Sequence, residues 1–530
     1  METQGIESAL TWIDWSLLFV YFGFVIWLGS HFGKKQTSSE HYFLGGRNLP
    51  GWAVGISIFA TIISSWAFLG LPGKSFKDDI QFLMSIVPIP IAMWVCTKYF
   101  IPLFRNKVKL SAYEYLERRF GLFARFYGNI AFISGHIFKM GVVLMLMCKA
   151  LGAMTGWNVD TLIVLIGLAT ITYTFFGGIE GVVWTDVTQG ILLLGGGFVS
   201  ILFLLFSGTA GPSEVLGTAY EAGKFKVADF SFDWNTISVY VMLAFGLNLY
   251  MAKYSTDQTV VQRYLLSPNE KEAGKSLWVS LAFMAAVWVI FINIGALLWA
   301  FYEVHPGLLP DTVRAEPDAV FAYFIGHQLP PGLTGLILAG LFAASMSTLS
   351  SDLNSLGSVV VDDFYNKIKK NATDTQRLRF SRASVLVSGI IGIFLAIALT
   401  RVQSIVDAAF WFASIMAGGM MGMFFVGLFT QRCSKPGLYA GLVVGVTFIV
   451  WATLTSPMDP NVATWYPKFS IHMFWLGPLG NIVVFVAAYL FSLVLTPGYV
   501  APEGLTIYGK PRTGPAPEVL QRKEAAEDAS

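Results

Sequence analysis

The sequence predicts an all-α polytopic membrane protein of about thirteen transmembrane helices. Of its 530 residues 55% are apolar and only 13% charged, and the mean hydropathy is +0.61. The apolar residues fall into runs near the ~20 residues that a helix needs to cross a bilayer. Lys and Arg, in turn, gather in alternate loops, as membrane topology demands. A net charge of +2 gives no field that would attract nucleic acid.

In chain order the spans are expected at 12–32, 50–70, 80–104, 124–150, 159–177, 184–207, 235–253, 276–301, 332–357, 383–400, 404–430, 436–456 and 471–496. The first follows METQGIESAL, which has acids and no basic region before its apolar run, so it is expected to be a retained span rather than a cleaved signal. Lys34, Lys35 and Arg47 follow it; Arg105, Lys107, Lys109, Arg118 and Arg119 follow span three. Arg263, Lys271 and Lys275 follow span seven, and a run from Lys367 to Arg382 follows span nine. The intervening loops are poor in basic residues, which places the amino terminus outside and the carboxyl terminus in the cytoplasm. The tail from Pro497, rich in Pro, Gly, Ala and Glu, reads as a disordered cytoplasmic extension. Cys96, Cys148 and Cys433 have no metal-ligand spacing and suggest no disulfide framework.

Two spans are not uniformly apolar. Span two, NLPGWAVGISIFATIISSW, is interrupted by Gly and Ser, and span seven loses its apolar character around Lys253. They stand five spans apart, the spacing of an inverted repeat of five plus five helices, with one extra helix before the core and two after it. Unwound backbone at the bilayer midplane is tolerated where it lines a cavity, and its freed carbonyls can ligate a small cation. Glycine and serine that merely permit close packing give the same pattern.

Span nine raises a parallel question in FAASMSTLSSDLNS, 342–355. On a helix Ala344, Ser347, Thr348 and Ser351 share one face, with Ser350 beside it. Neutral hydroxyl and carbonyl oxygens suit an alkali cation, whereas a divalent ion calls for several carboxylates. Hydroxyls bonded back to their own helix would explain the stripe as packing. Asp352, Asn354 and Ser355 read as packing and helix termination. In GGIEGVVWTDVTQG, Asp186 is an ionisable group in a membrane segment and hence a functional candidate; a helix N-cap formed with Thr185 is the alternative.

Several segments carry a family resemblance: EHYFLGGRNLPGWAVGISIFAT, SAYEYLERRFG, GGIEGVVWTDVTQG, STDQTVVQRYL, FAASMSTLSSDLNS and GLFTQRCSKPGLYAGLVVG. In this order, over about 36–496, they resemble the sodium/solute symporter family, nearest to its bacterial sodium–sialic acid branch. The resemblance implies a leucine-transporter-type fold in the plasma membrane, as in a bacterial inner membrane, and sodium-driven alternating access. Domains follow as an extra helix over 1–36, a transport core over 37–430 (halves about 49–207 and 235–430), two further helices over 431–496 and the tail 497–530. The principal sodium ligands it implies are Ala60, Ile63, Ala344, Ser347 and Thr348. A second sodium falls on Asp186, Ser347, Ser350 and Ser351. Solute contacts fall on Ser64, Ala67, Phe82 and Lys139, and Trp66 and Tyr250 are aromatic candidates for stacking on a sugar or gating the cavity. Where the sialic acid branch has an arginine for the solute carboxylate, this chain has Lys139, and polar positions are replaced by Ala67 and Ile86. Phe410 and Trp411 are further aromatic candidates for stacking or gating.

The expectation is thus a symporter for a sialic acid, sugar or sugar acid, with a carboxylate, amino acid or other organic solute as the alternative. Its partners are the solute, sodium ions and the bilayer, with no nucleic acid and no obligate protein partner. No nucleophile–base pair or metal cluster suggests an enzyme, since the six histidines are scattered. GLPGKS lacks the glycine spacing of a phosphate loop, which argues against a nucleotide-driven pump. A channel, or a solute sensor of transporter shape, is the rival from another class.

Overall fold

The computed structural model describes residues 10–33, 38–107, 111–208, 210–401, 419–455 and 471–508. Among them every regular element is helical. We label the principal helices α1 (Trp12–Gly33), α2 (Gly51–Ile62), α3 (Trp66–Lys77), α4 (Gln81–Lys107), α5 (Leu122–Thr155), α6 (Val159–Phe206), α7 (Val239–Thr256), α8 (Gln258–Tyr264), α9 (Glu270–Val304), α10 (Leu333–Ile368), α11 (Asp374–Thr400), α12 (Met420–Phe429), α13 (Lys435–Thr455) and α14 (Met473–Leu495). Nine helices among the described residues are long and apolar enough to cross a membrane, and the bent pair α2–α3 makes a tenth. One of the nine, α6, has 48 residues, about 72 Å of helix at 1.5 Å per residue, which is more than twice a ~30 Å hydrocarbon core. Gly178 divides it: its φ of 56° and ψ of −159° interrupt the helix between the expected fifth and sixth spans. Most of expected span eleven, with Phe410 and Trp411, lies outside the described residues.

The hydroxyl-rich α10 is the centre of the bundle. Every residue from Leu333 to Val360 is buried except Leu333, Leu336 and Val360. A helix apolar or small on all sides is what a position surrounded by other helices requires. It does not end near Asp352, contrary to the reading of that stretch as a terminus, because LNSLGSVVV continues the apolar pattern through Val359. Small residues set the closest approaches elsewhere. A Cβ on Gly295 of α9 would lie 2.0 Å from the Pro72 carbonyl oxygen of α3, so only glycine permits that contact.

Loop contacts sort into two faces. On one, Arg105 donates to the carbonyls of Ser267 and Pro268, Arg119 to those of Gly427 and Thr430, and Lys367 to Glu117. The basic loops after spans three, seven and nine therefore meet on a single side. The start of the tail joins them: Tyr115 donates to the Leu505 carbonyl, and the amides of Ala501 and Ile507 donate to Gln431 and Leu428. Residues 497–508 thus pack on this face instead of forming part of a disordered extension, because Leu505 and Thr506 find a buried seat there. On the opposite face Asp14 accepts from the Gly332 and Gly335 amides at the start of α10, and Lys224 donates to the Phe76 and Asp78 carbonyls ending α3.

Candidate cation and solute sites

Two breaks shape the core. Between α2 and α3 the axis turns by 69° at Ile63, whose φ of −80° and ψ of 128° are extended. Between α7 and α8, Asp257 has nearly the same backbone, φ −83° and ψ 118°. An extended residue inside a helix leaves carbonyls behind it and amides ahead of it without intrahelical partners. The first break has no charged side chain of its own: the Ser64 carbonyl accepts from the Ala67 and Phe68 amides, and the Ser65 hydroxyl reaches the Val143 carbonyl of α5 at 3.2 Å. At the second, the Asp257 carboxylate caps α8 through the amide and hydroxyl of Thr259, at 2.9 and 2.6 Å.

The freed carbonyls of the first break face the hydroxyls of α10. Ser347 Oγ lies 2.9 Å from the Ala60 carbonyl oxygen and 3.2 Å from that of Ala344. Thr348 Oγ1 lies 2.9 Å from the Ile63 carbonyl oxygen, 3.2 Å from Ala344 and 3.4 Å from Thr61. All five residues expected to hold the principal sodium therefore converge. Each hydroxyl has one proton and can satisfy one of these carbonyls at a time, so the cluster is short of donors. A small monovalent cation would supply the missing positive charge to all five oxygens if the hydroxyls turned their lone pairs inward. The packing alternative, hydroxyls bonded only to their own helix, does not describe Ser347 or Thr348, since both bond across to α2.

Asp186 lies eight residues beyond Gly178 in the second arm of α6 and is fully buried, so it is not an N-cap. Its Oδ2 accepts from Ser57 Oγ at 2.6 Å and from Arg263 Nη2 at 3.3 Å, while Oδ1 is buried without a partner. Arg263, on α8 and also fully buried, donates further to Ser57 Oγ at 2.9 Å, to the Thr259 carbonyl at 2.7 Å and to Ser351 Oγ. Ser351 Oγ is also 2.9 Å from Thr61 Oγ1, and Ser350 donates to the Ser347 carbonyl. The second expected sodium set is thus brought together in part: Asp186 and Ser351 share the guanidinium of Arg263, whereas the hydrogen bonds described for Asp186 do not include Ser347 or Ser350. The orphaned Oδ1 is the oxygen a second cation would use.

The expected solute residues separate into two groups. Phe82, 5% exposed, sits among aromatic rings, with centroids 6.3 Å from Trp66, 5.3 Å from Trp288, 6.2 Å from Phe245 and 5.8 Å from Phe474. Ala67 is buried beside Trp66, while Trp66 itself is 44% exposed. Lys139 does not snorkel: its Nζ lies 2.8 Å from Asp352 Oδ1. Tyr250 is buried on α7, one turn before Lys253. Arg263, Ser57 and Thr61 join these sites unexpected from sequence, and Asp352 pairs with Lys139 inside a continuing helix instead of ending one. The sequence signal for this pair is Lys139, since a lysine deep in a span requires a carboxylate partner.

A family model described as the sodium:solute symporter family matches residues 42–445. The chain is 33% identical over 497 residues to the sodium/sialic acid symporter NanT of Aliivibrio fischeri, covering 92% of this chain and 94% of that one. It is 31% identical over 493 residues to the sodium/sialic acid symporter SiaT of Proteus mirabilis, covering 92% and 96%. A solved Na+-coupled sialic acid symporter in a substrate-bound, outward-open state superposes with a TM-score of 0.85 at 30% identity, covering 93% of this chain and 99% of that one. The chain belongs to the sodium:solute symporter family, and it is a sodium-coupled membrane transporter rather than an enzyme.

Proposed function

We propose that this symporter imports a sialic acid or a related sugar acid, using two sodium ions. The observation that carries the reading is the oxygen cage between the first break and α10, which is donor-poor and free of carboxylates. The solute assignment is supported by the names of the two relatives above and by Lys139, a cation one turn of α5 from the Val143 carbonyl that anchors Ser65. In this reading Ala60, Ile63, Ala344, Ser347 and Thr348 hold one sodium, and Asp186, Ser347, Ser350 and Ser351 the other. Ser64, Trp66, Ala67, Phe82, Lys139 and Tyr250 line the solute path. Thirteen spans arranged as a five-plus-five inverted repeat, with the amino terminus outside, complete the proposal; the similar backbone at Ile63 and Asp257 supports the repeat.

Sodium bridging α2 and α10 would hold the outward-open state, and its loss to the cytoplasm would free the inward path. One sodium crossing about 100 mV releases roughly 2.3 kcal/mol, and a tenfold gradient adds roughly 1.4, together about 500-fold accumulation of a neutral solute. A monoanion gives back about one charge's worth of the potential, which a second sodium restores. Because Ala67 and Ile86 stand where polar side chains were expected, a less hydroxylated carboxylate is the second reading. Thermal stabilisation of the purified protein, screened with N-acetylneuraminate, uronates and short monocarboxylates in sodium and in potassium, tests both. Stabilisation by N-acetylneuraminate in sodium alone is expected; equal stabilisation in potassium rejects coupling, and a response only to monocarboxylates selects the second reading.

A further inference from the structure

The aromatic cluster around Phe82 draws one of its rings from outside the transport core. Phe474 stands in the first turn of α14, which lies beyond the inverted repeat in the arrangement proposed above. Its ring stacks on Phe245 of α7 at 4.4 Å and 28°, and its centroid is 5.8 Å from that of Phe82. Trp66, Phe82, Phe245, Trp288 and Phe474 come from α3, α4, α7, α9 and α14, so each helix contributes one ring.

Several contacts hold Phe474 in place. The His472 amide donates to the Trp234 carbonyl at 2.9 Å, and the Trp475 ring lies 4.8 Å from that of Trp234, which fastens the start of α14 to the segment before α7. The Phe474 amide donates to His472 Nδ1 at 3.3 Å. Two turns on, Asn481 Nδ2 donates to Asn248 Oδ1 of α7, and its Oδ1 accepts from the Gly422 amide of α12, both at 2.9 Å. A Cβ on Gly477 would lie 2.7 Å from Asn248 Nδ2, so glycine lets α14 approach α7 this closely. A ring on a backbone fixed in this way loses little further freedom when a ligand packs against it.

The cluster is open on one side. Trp66, which begins α3 at the first break, is 44% exposed, and Phe245 and Phe474 are half-buried, whereas Phe82 and Trp288 keep 5% and 4%. The polar side chains beside these rings are engaged within the protein: Ser85 donates to the Phe82 carbonyl, and Asn481 is shared between Asn248 and Gly422. The rings therefore offer faces and edges instead of donors and acceptors. Such a wall gains from burying a methyl group and gives a hydroxyl nothing to bond.

We propose that Phe474 is a specificity-determining residue for the solute: it completes an aromatic wall that receives the apolar part of a sugar acid, the methyl of an N-acyl group, and so brings α14 into solute selection. The proposal rests on the reading in which Trp66 and Phe82 line the solute path. A buried methyl favours the acylated solute, and a hydroxyl in its place is left unpaired, a difference of roughly tenfold to a hundredfold in affinity.

The test compares two ligands in one chain. Kd is measured on the full chain in detergent, in saturating sodium, for N-acetylneuraminate and for its deaminated analogue, which carries a hydroxyl where the acetamido group stands. The parent is expected to prefer N-acetylneuraminate by roughly tenfold or more, and Phe474→Ala to bring the two within about threefold. Phe474→Leu, which keeps bulk without the ring, should fall between, and it decides if the alanine variant does not fold. Because both ligands are read in the same variant, a general loosening of α14 cancels from the ratio. A parent that binds both equally overturns the proposal. So does a ratio that Phe82→Ala flattens and the Phe474 variants leave alone, whereas a ratio that none of them changes removes the solute path with it. A parent that ignores both ligands but responds to monocarboxylates removes the sialic acid reading. The ratio is then taken between butyrate and β-hydroxybutyrate; its flattening in Phe474→Ala upholds the wall, and its persistence overturns it. Binding of neither pair rejects the wall together with the reading beneath it.

Discussion

The two breaks have nearly the same backbone and opposite chemistry. At Ile63 the freed groups meet only hydroxyls and main-chain oxygens, and no formal charge stands among the five that converge. At Asp257 the same extended turn is surrounded by Lys253, His136, Lys139 and Asp352. In the proposed reading the difference follows from what each would hold. A sodium ion brings its own charge and needs several neutral oxygens that can release it again; an anion in low dielectric needs fixed cations, and these must be paired while the anion is away. One break is therefore a cage short of donors, and the other a network of paired charges.

The sharpest way to break the comparison is at the neutral cage. Thr348→Ala removes the hydroxyl nearest to the Ile63 carbonyl and leaves the site one oxygen short. Sodium-dependent uptake into proteoliposomes should be lost, with sodium no longer stabilising the protein in thermal melts. Retained coupling in this variant would mean that the ion sits elsewhere. Next in size is Lys139→Met. Losing a charge-assisted contact costs about 1.5–3 kcal/mol, so binding of N-acetylneuraminate should weaken roughly 10- to 150-fold while a neutral hexose, if bound at all, is unaffected. Equal losses for both ligands would assign Lys139 to holding Asp352 alone.

The cage was legible in sequence and the charge network was not, for a physical reason. Ser347 and Thr348 share a helix face with Ala344 at fixed spacing, so the periodicity of one segment proposes the stripe, and the interrupted span two proposes its partner. The network draws its members from α5, the α7–α8 break and α10, and no local spacing joins Lys139 to Asp352. Only the cost of an unpaired lysine in a membrane points to a carboxylate, and Asp352, followed by Leu-Asn-Ser, reads as a helix end. Arg263 was hidden differently: counted among the basic residues of a cytoplasmic loop, it is in fact fully buried in α8, pairing with Asp186. Charge bias sets topology without saying which charges stay in the loops.

Asp186→Asn tests the region where the two chemistries meet. The substitution keeps a side-chain oxygen but removes the charge that balances Arg263 and would attract a second sodium. The Hill coefficient for sodium should fall from near two toward one, with the solute still carried. An unchanged coefficient would leave Arg263 as the only cation of that site. Because a buried ion pair loses one partner, stability should drop as well, by about 3–5 kcal/mol; Arg263→Gln in the same chain should recover part of that loss, whereas a pure sodium-ligand role for Asp186 predicts no such rescue.

The smallest effect is expected at the face where the basic loops meet. Glu117, in the short helix Glu114–Phe120, lies 2.5 Å from Arg125 and 2.6 Å from Lys367. Partial burial by itself pushes its carboxyl up, but the hydrogen bonds from Lys367 and Arg125 outweigh this and hold it below its ordinary value. A lowered acid stabilises the fold above its unfolded pKa of about 4.3 and loses that contribution as pH falls through the folded value. The Glu117 and Lys367 side chains keep 31% and 33% exposure, so solvent screens the pair. Lys367→Ala should cost no more than about 1 kcal/mol at pH 7, and less in high salt. The sodium Hill coefficient and the solute Kd should stay as they were, since nothing in this ion pair reaches either break. A change in coupling from so shallow a substitution would instead make this face a gate whose closure the two sites sense.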